Sequence, residues 1–403
     1  MSAAVLQAQG APLRVLQLNS RLSGGGTDDQ CARLAAGLME LGRRVWVAGP
    51  DGREFSRRIR ASGVPFHPTP PGKAGFVLAA ARLIRRERLQ IVHGHHGRDL
   101  WPTVFAARLS GVRPKIVLTR HLAKSPSSWF SRRFLLGQCA ALIAVSEFVG
   151  KVLREGAYEP DSPEAERRTR PPLQGDHTKI HVIQGGVDTL AFRPFDATAQ
   201  RQAWGLTSAD FAFAVVGGYD RPRGKGQREF LQAAARIRGQ VPHARFLLVG
   251  RGNLAEQLQA DIVRLGLEGV AWLTPYCRAM PAAMNALDCL VHPQVGTEAF
   301  PGVVLEACAC GKPVIASALD GIPEAFAVGG PGRLVTPESI EELAAAMAHW
   351  AGQTALSLPA RAALHRRVDE KFSLPANTRR VSELYARLMT GVVPPPGTSP
   401  GSP

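Results

Sequence analysis

Short runs of consecutive apolar residues alternate along the chain with stretches whose apolar positions recur every three or four residues, a pattern that predicts buried strands separated by amphipathic helices. Leu13 to Asn19 reads as the first buried strand, followed by the Ser23-Gly24-Gly25-Gly26 turn and a helix carrying Leu34, Leu38 and Leu41 on its core face. Strands at Arg44 to Ala48, Leu89 to His93, Ile116 to Thr119, Ala141 to Val145 and Ile180 to Ile183 continue the series, with helices over Val77 to Arg88 and around Val104 to Leu109. A second series starts at Phe211 to Val216. Its further strands are Arg245 to Val249, Val270 to Thr274, Cys289 to His292 and Pro313 to Ala316, and its helices Arg228 to Arg238, Leu254 to Leu265, Ala279 to Leu287 and Ile340 to Trp350. Unbroken apolar strands between helices indicate mostly parallel sheets covered on both faces. The pattern predicts an α/β protein with two doubly wound, Rossmann-like halves joined near Phe192 to Thr198. Ligands of such sheets bind at the carboxyl ends of the strands, here in the cleft between the halves.

Two stretches break the alternation. Glu159 to Thr178 mixes Pro, Arg and acidic residues without periodicity and reads as an exposed insertion, and the Pro-Gly-Ser tail over 391–403 reads as disordered. With 403 residues the chain exceeds one hydrophobic core, so two domains are expected, 1–195 and 196–376. The six cysteines have neither disulfide-framework nor zinc spacing, and Cys308 and Cys310, two apart on a helix, point to different faces. Met1 to Leu13 lacks a basic start and an apolar core, and no later stretch has bilayer-spanning length, so a cytoplasmic chain is expected.

Charge changes this picture. The net +16 is concentrated in residues 1–195, with 29 Lys and Arg against 15 acidic residues, whereas the remainder holds 20 against 18. An anionic partner of the first half follows, best matched by a membrane surface or an acidic glycolipid. The runs around Arg57 to Arg60, Arg82 to Arg88 and Trp129 to Phe134 set bases beside apolar residues, as an interfacial surface does.

The richest segment is Gly296 to Ser317. Glu298 lies in a loop and Glu306 within a helix that Pro301 opens and Gly311 closes. Amides at Phe300 to Val303 are free to receive sugar or phosphate oxygens, and both carboxylates are expected to be free for hydroxyl groups. With Gly302, Pro313 and the later Gly321-Ile322-Pro323-Glu324, the segment resembles the Glu-x7-Glu signature of family 4 retaining glycosyltransferases. The resemblance covers nearly the whole chain after Leu13 and implies the GT-B fold, in which a C-terminal helix, here 377–390, packs back on the first domain.

Other motifs support the resemblance. Gly25 and Gly26 match the glycine turn that approaches donor phosphate or acceptor, without a Gly-x-Gly-x-x-Gly or Walker lysine. Lys225-Gly226 matches the family's basic loop, implying that Lys225 neutralises a nucleotide diphosphate. Asp220 stands where the family usually has arginine, so Arg221 or Arg223 must substitute. His93, His95 and His96 end a strand with no acidic partner at ligand spacing, which argues against a metal site; the Ile91-Val92-His93-Gly94-His95 run resembles the family's corresponding strand end, which implies that these histidines line the cleft. His121, in Thr119-Arg120-His121, resembles the histidine that contacts the donor sugar. Ser146-Glu147 and Gln184-Gly185-Gly186-Val187-Asp188 resemble two further landmarks, the second with Gln184 in place of the usual Asn, and Asp188 is expected to form a turn. Asp28-Asp29 belongs to a helix start, and no Asp-x-Asp motif ends a strand.

The resemblance implies metal-independent transfer, without cofactor, of a sugar from a nucleotide-diphosphate sugar to an acceptor glycan or glycolipid on the first domain. Lipopolysaccharide or surface polysaccharide synthesis at the inner face of the cytoplasmic membrane is expected. The donor would lie on Gly25, Gly26, Arg221, Arg223, Lys225, Glu298, Phe300, Pro301, Gly302 and Glu306, with His121, Glu298 and Lys225 closest to the reaction. A GT-B nucleotide-sugar epimerase and a non-catalytic anionic-ligand binding protein remain alternatives. A nucleic-acid partner is not expected, since no helix-turn-helix or RNA-binding signature occurs.

Overall fold

The computed structural model describes residues 11–21, 25–52, 54–156, 171–220, 224–275 and 277–391. Of the insertion expected at 159–178, residues 159–170 lie outside the described residues, as does the tail at 392–403; its remainder is not an exposed loop throughout, since Leu173 is buried and His177–Lys179 form a short 3-10 helix. The first half runs β1 (Arg14–Leu18), α1 (Gly26–Glu40), β2 (Arg44–Gly49), α2 (Glu54–Ala61), β3 (Phe66–Pro68), α3 (Lys73–Glu87), β4 (Ile91–Gly94) and α4 (Leu100–Leu109). It continues with β5 (Lys115–Arg120), α5 (Trp129–Gln138), β6 (Ala141–Ala144), α6 (Glu147–Glu155) and β7 (Ile180–Val182). The second half has α7 (Thr198–Ala203), β8 (Phe211–Val216), α8 (Gln227–Ile237), β9 (Ala244–Val249), α9 (Ala255–Arg264), β10 (Ala271–Leu273), α10 (Met280–Ala286) and β11 (Cys289–His292). Then come α11 (Gly302–Ala309), β12 (Val314–Ser317), α12 (Ile322–Phe326), β13 (Gly332–Val335), α13 (Ile340–Ala351), α14 (Leu358–Phe372) and α15 (Leu374–Thr390).

The strands form two all-parallel sheets, ordered β3-β2-β1-β4-β5-β6-β7 and β10-β9-β8-β11-β12-β13. Each is a doubly wound sheet, as the apolar pattern predicts, and the pair gives the two-sheet GT-B architecture that the resemblance implies. Strand order reverses between β1 and β4 in the first sheet and between β8 and β11 in the second. At such reversals the loops diverge to opposite faces and leave a crevice. The glycine turn, the strand-end histidines, the basic loop and the Glu298–Glu306 segment end or follow β1, β4, β5, β8 and β11, at or beside these crevices, whereas the basic runs on α2 and α3 and the Glu147, Gln184 and Glu324 landmarks do not.

The core strands are buried throughout; β4, β6, β11 and β12 expose no residue. The chain crosses back at Val187, whose N–H donates to Phe372 O at 2.8 Å, and Leu374 N–H donates to Val187 O at 3.0 Å. From there α15 packs along α1, with Tyr385 fully buried and its hydroxyl 3.2 Å from Gln17 Nε2.

Candidate active site

On the second half, Lys225 ends the turn between β8 and α8. Gly226 has φ +84°, and a Cβ there would lie 1.9 Å from Pro293 O, so only glycine lets this turn press against the end of β11. That contact sets Lys225 Nζ 2.6 Å from Glu298 Oε2. Burial raises the Glu298 carboxyl, but the Lys225 ammonium, helped by His292, outweighs it and holds the group below the usual carboxylate range. The sequence expectation of a free Glu298 is thereby corrected: a buried carboxylate needs a counter-charge, and Lys225 supplies it.

Asp220 explains its own departure from the family pattern. Its carbonyl accepts from Gly224 N–H at 2.9 Å and its carboxylate from Asn253 N–H at 3.1 Å, so it closes the turn. Arg221 and Arg223 lie outside the described residues.

Pro301 precedes α11 and Gly302 is its first residue. Glu306, half-buried on this helix, is pushed up to about 7 by burial, with Arg33 opposing and Asp29 reinforcing the shift. Those two residues form an ion pair on α1, Arg33 Nε to Asp29 Oδ2 at 2.7 Å. Glu306 therefore lies within electrostatic reach of the other half.

On the first half, Gly25 takes φ +113° immediately before α1, which Gly26 opens; Ser23 and Gly24 lie outside the described residues. Asn19 Nδ2 donates to Asp28 Oδ1 at 2.8 Å, and Ser20 N–H donates to Asp99 Oδ2 at 2.9 Å, fixing the entrance to this turn. Asp99 Oδ1 is buried without a partner, and burial raises the carboxyl.

The strand-end histidines form a stack. The rings of His93 and His95 are 4.2 Å apart and those of His95 and His121 5.9 Å. His93 uses both nitrogens at 2.6 Å, Nδ1 on the Tyr385 hydroxyl and Nε2 on Thr119 Oγ1, and His95 Nε2 meets Gln17 Oε1 at 2.5 Å. Burial pushes His93 and His121 down to about 3. Neutral at physiological pH, these rings can orient hydroxyls but not donate a labile proton. His121 Nε2 is buried with no hydrogen-bond partner. It lines a cavity of about 30 Å³ together with Gln30, His95, Gly185 and Asn377.

The halves meet directly around the cleft. Glu324 reaches the N-terminus of α6, its Oε1 accepting from Phe148 N–H and its Oε2 from Glu147 N–H, both at 2.7 Å. Gln184 Nε2 donates to the same carboxylate at 3.0 Å. Thus the glutamine that replaces the usual asparagine has a partner in the opposite half. Phe300 is buried against Phe372, ring centroids 5.9 Å apart.

Sequence reasoning missed two polar residues and the role of a third. His292, 1% exposed, ends β11 with both ring nitrogens unpartnered and Nε2 4.0 Å from Glu298 Oε2. Its burial, which pushes it down to about 4, resembled that of any strand residue. Asp99 offered a signal as the single acidic residue between Glu87 and Glu147. The role of Glu324 offered none, because its partners are far away in sequence. The arrangement as a whole presents a cation, two carboxylates, unpartnered imidazoles and a helix N-terminus around one cleft, a set suited to a polyhydroxylated, anionic ligand.

A model of Glycosyl transferases group 1 matches residues 210–353 and a model of Glycosyltransferase Family 4 matches residues 24–162, together more than two thirds of the chain. D-inositol 3-phosphate glycosyltransferase of Mycobacterium marinum (strain ATCC BAA-535 / M) is 32% identical over 181 residues, 43% of this chain and 37% of that protein. The Mycobacterium avium (strain 104) protein of the same name is 35% identical over 199 residues, 47% of this chain and 44% of its own. The matched stretch is thus less than half the length of these relatives. Among solved structures, a glycosyltransferase from Rickettsia africae ESF-5 superposes with a TM-score of 0.78 at 19% identity, covering 94% of this chain and all of that one. Anabaena HepE in complex with UDP and glucose superposes at 0.75 and 20% identity, covering 93% and 99%. At these identities the likeness is one of fold.

Proposed function

The chain belongs to the group 1, family 4 glycosyltransferases of GT-B fold, and from that premise we propose that it transfers a sugar from a nucleotide-diphosphate sugar to an acceptor glycan or glycolipid. The observation that carries this reading is the Lys225–Glu298 pair at 2.6 Å, set at the strand-order reversal of the second sheet beside the N-terminus of α11.

Residues 196–376 hold the donor and residues 1–195, with helix 377–390, hold the acceptor. Glu306 accepts from ribose hydroxyls, while Glu298 and the amides of Phe300 to Gly302 position the sugar. Lys225, with Arg221 or Arg223, meets the diphosphate, and Gly25 and Gly26 let the β1–α1 turn approach it. Fixed positive charge whose interaction strengthens as the diphosphate departs lowers the barrier. His121 offers its unpartnered Nε2 to a sugar hydroxyl. The departing phosphate oxygen takes the acceptor hydroxyl proton on the same face, so the anomeric configuration is retained without an enzymic nucleophile or a metal.

The relatives named D-inositol 3-phosphate glycosyltransferase favour an anionic acceptor, and the +14 first half fits one at the inner face of the cytoplasmic membrane, as in lipopolysaccharide or surface polysaccharide synthesis. The contact in this reading is peripheral; no helix among the described residues is long and apolar enough to cross a membrane. The test is release of nucleoside diphosphate from a panel of UDP-, GDP- and ADP-sugars, with the product's anomeric configuration read by NMR. Transfer with retention, unchanged by EDTA, is expected; an inverted product or dependence on a metal would overturn the mechanism. Release of free nucleotide with an altered sugar and no acceptor would indicate an epimerase instead.

A further inference from the structure

Half of the first half's +14 lies in one segment. From Leu100 to Ser146 the chain carries Arg108, Arg113, Lys115, Arg120, Lys124, Arg132 and Arg133 and no acidic residue. This segment comprises α4, β5, α5 and β6. In the other basic runs singled out in the sequence, four of the seven arginines are engaged within the protein: Arg58 pairs with Asp29 at 2.9 Å, Arg60 with Asp51 at 2.6 Å and Arg86 with Glu87 at 2.7 Å, and Arg85 Nε donates to Ser110 O at 2.9 Å. On α4 and α5, Arg108 and Arg133 enter none of the ion pairs among the described residues. Arg108 donates to the neutral Gln138, and Arg133 lies 5.3 Å from the Phe134 ring centre.

The same two helices expose large apolar side chains. Trp129 is 64% exposed, Phe130 51% and Phe105 49%, with Leu109 and Phe134 also exposed and Leu122 exposed in the loop before α5. The rings touch in series: Trp129 to Phe134 at 5.8 Å, Phe134 to Phe130 at 5.0 Å, Phe130 to Trp101 at 4.7 Å and Trp101 to Phe105 at 5.9 Å. A connected aromatic patch in a field of unneutralised arginine is what the interfacial layer of an anionic bilayer accommodates, rings among the acyl boundary and guanidinium groups on phosphate. Its location matters as much as its composition. Trp129 and Phe130 open α5, at the end facing the carboxyl edge of the sheet, and only the loop carrying Leu122 and Lys124 separates them from His121.

We propose that the α4–α5 face docks the protein on an anionic phospholipid bilayer, with Trp129, Phe130 and Phe134 in the interfacial layer, Arg108 and Arg133 on headgroup phosphates, and the cleft mouth at His121 turned toward the leaflet. The inference rests on the proposed transfer to a lipid-linked acceptor, which this orientation would admit without its leaving the membrane.

Sedimentation with vesicles of phosphatidylcholine, with and without phosphatidylglycerol, tests it on the full chain. Wild type cosediments with the anionic vesicles and is released by salt. The pairs Trp129→Ala with Phe130→Ala, and Arg108→Gln with Arg133→Gln, each weaken binding about 10-fold or more. Arg57→Gln with Arg86→Gln leaves binding unchanged. Equal melting temperatures and donor-induced thermal shifts would establish that the variants are folded. Binding indifferent to phosphatidylglycerol, binding unaffected by the α5 variants, or a solution dimer that the Trp129 and Phe130 changes dissociate would overturn the assignment. Sugar-nucleotide turnover without vesicle binding would sink the docking face and leave the transfer reading standing, whereas vesicle binding without turnover would do the reverse.

Discussion

Glu306 shows how burial of a single carboxyl sets both stability and ligand preference. Its folded pKa of about 7 lies above the ordinary 4.5, so the folded state holds this proton more tightly than the unfolded one. The group's contribution is fully present below about pH 4.5 and is lost as pH rises toward 7, above which the fold carries a buried charge. Glu306→Gln removes that charge, so its melting temperature should gain on wild type between pH 4.5 and 7 and then level off. A constant difference across pH would contradict the assignment. Because ribose hydroxyls donate to the ionised form, nucleotide affinity of wild type should fall as pH drops through 7, and calorimetry on Glu306→Gln should show weaker binding without that pH step. Lys225→Ala should lower kcat about 10²- to 10³-fold, the usual cost of losing one fixed charge at a developing anion. The charged residues Glu298, Glu306 and Lys225 were legible in the sequence because they stand in motifs with fixed spacing. His292 was not, since nothing in Cys289 to His292 distinguishes a strand-end imidazole aimed at Glu298 from one filling the core.

At the scale of elements, two connections hold the cleft. Gly226→Ala would place a Cβ 1.9 Å from Pro293 O at a positive φ, so it should destabilise the protein by more than ~2 kcal/mol and abolish any donor-induced thermal shift. Denaturant titration measures the first effect. Glu324→Ala removes the acceptor for two amides at the start of α6 and for Gln184. It should cost about 1–2 kcal/mol and widen the cleft, visible as a larger radius of gyration in small-angle scattering. Elements with a clear buried face were readable from apolar spacing, as β8 and β11 illustrate, whose observed limits are those expected. Others carried weaker signals. In α5 the aromatic residues face solvent, so apolar spacing does not mark a core side; α14 buries only Leu364, Val368 and Phe372 among many charged residues. The strands β3 and β13 are short and partly exposed.

For the whole molecule, the sheet orders follow from buried strands joined by helical crossovers, which is why the doubly wound class could be read from the pattern alone. How the halves approach each other could not, because it depends on contacts such as Glu324 with Glu147 and Phe148 and Thr189 with Asp369, made between residues nearly 180 positions apart. The central claim is that the cleft between the halves holds a nucleotide-diphosphate sugar on the Glu298–Glu306 segment. Thermal-shift titration of wild type and Glu306→Ala with UDP-, GDP- and ADP-sugars, each with and without EDTA, tests it most directly. One nucleotide sugar should stabilise wild type, leave the variant's melting temperature unmoved and be indifferent to EDTA; stabilisation by none of the three, or equal stabilisation of both proteins, would contradict the account.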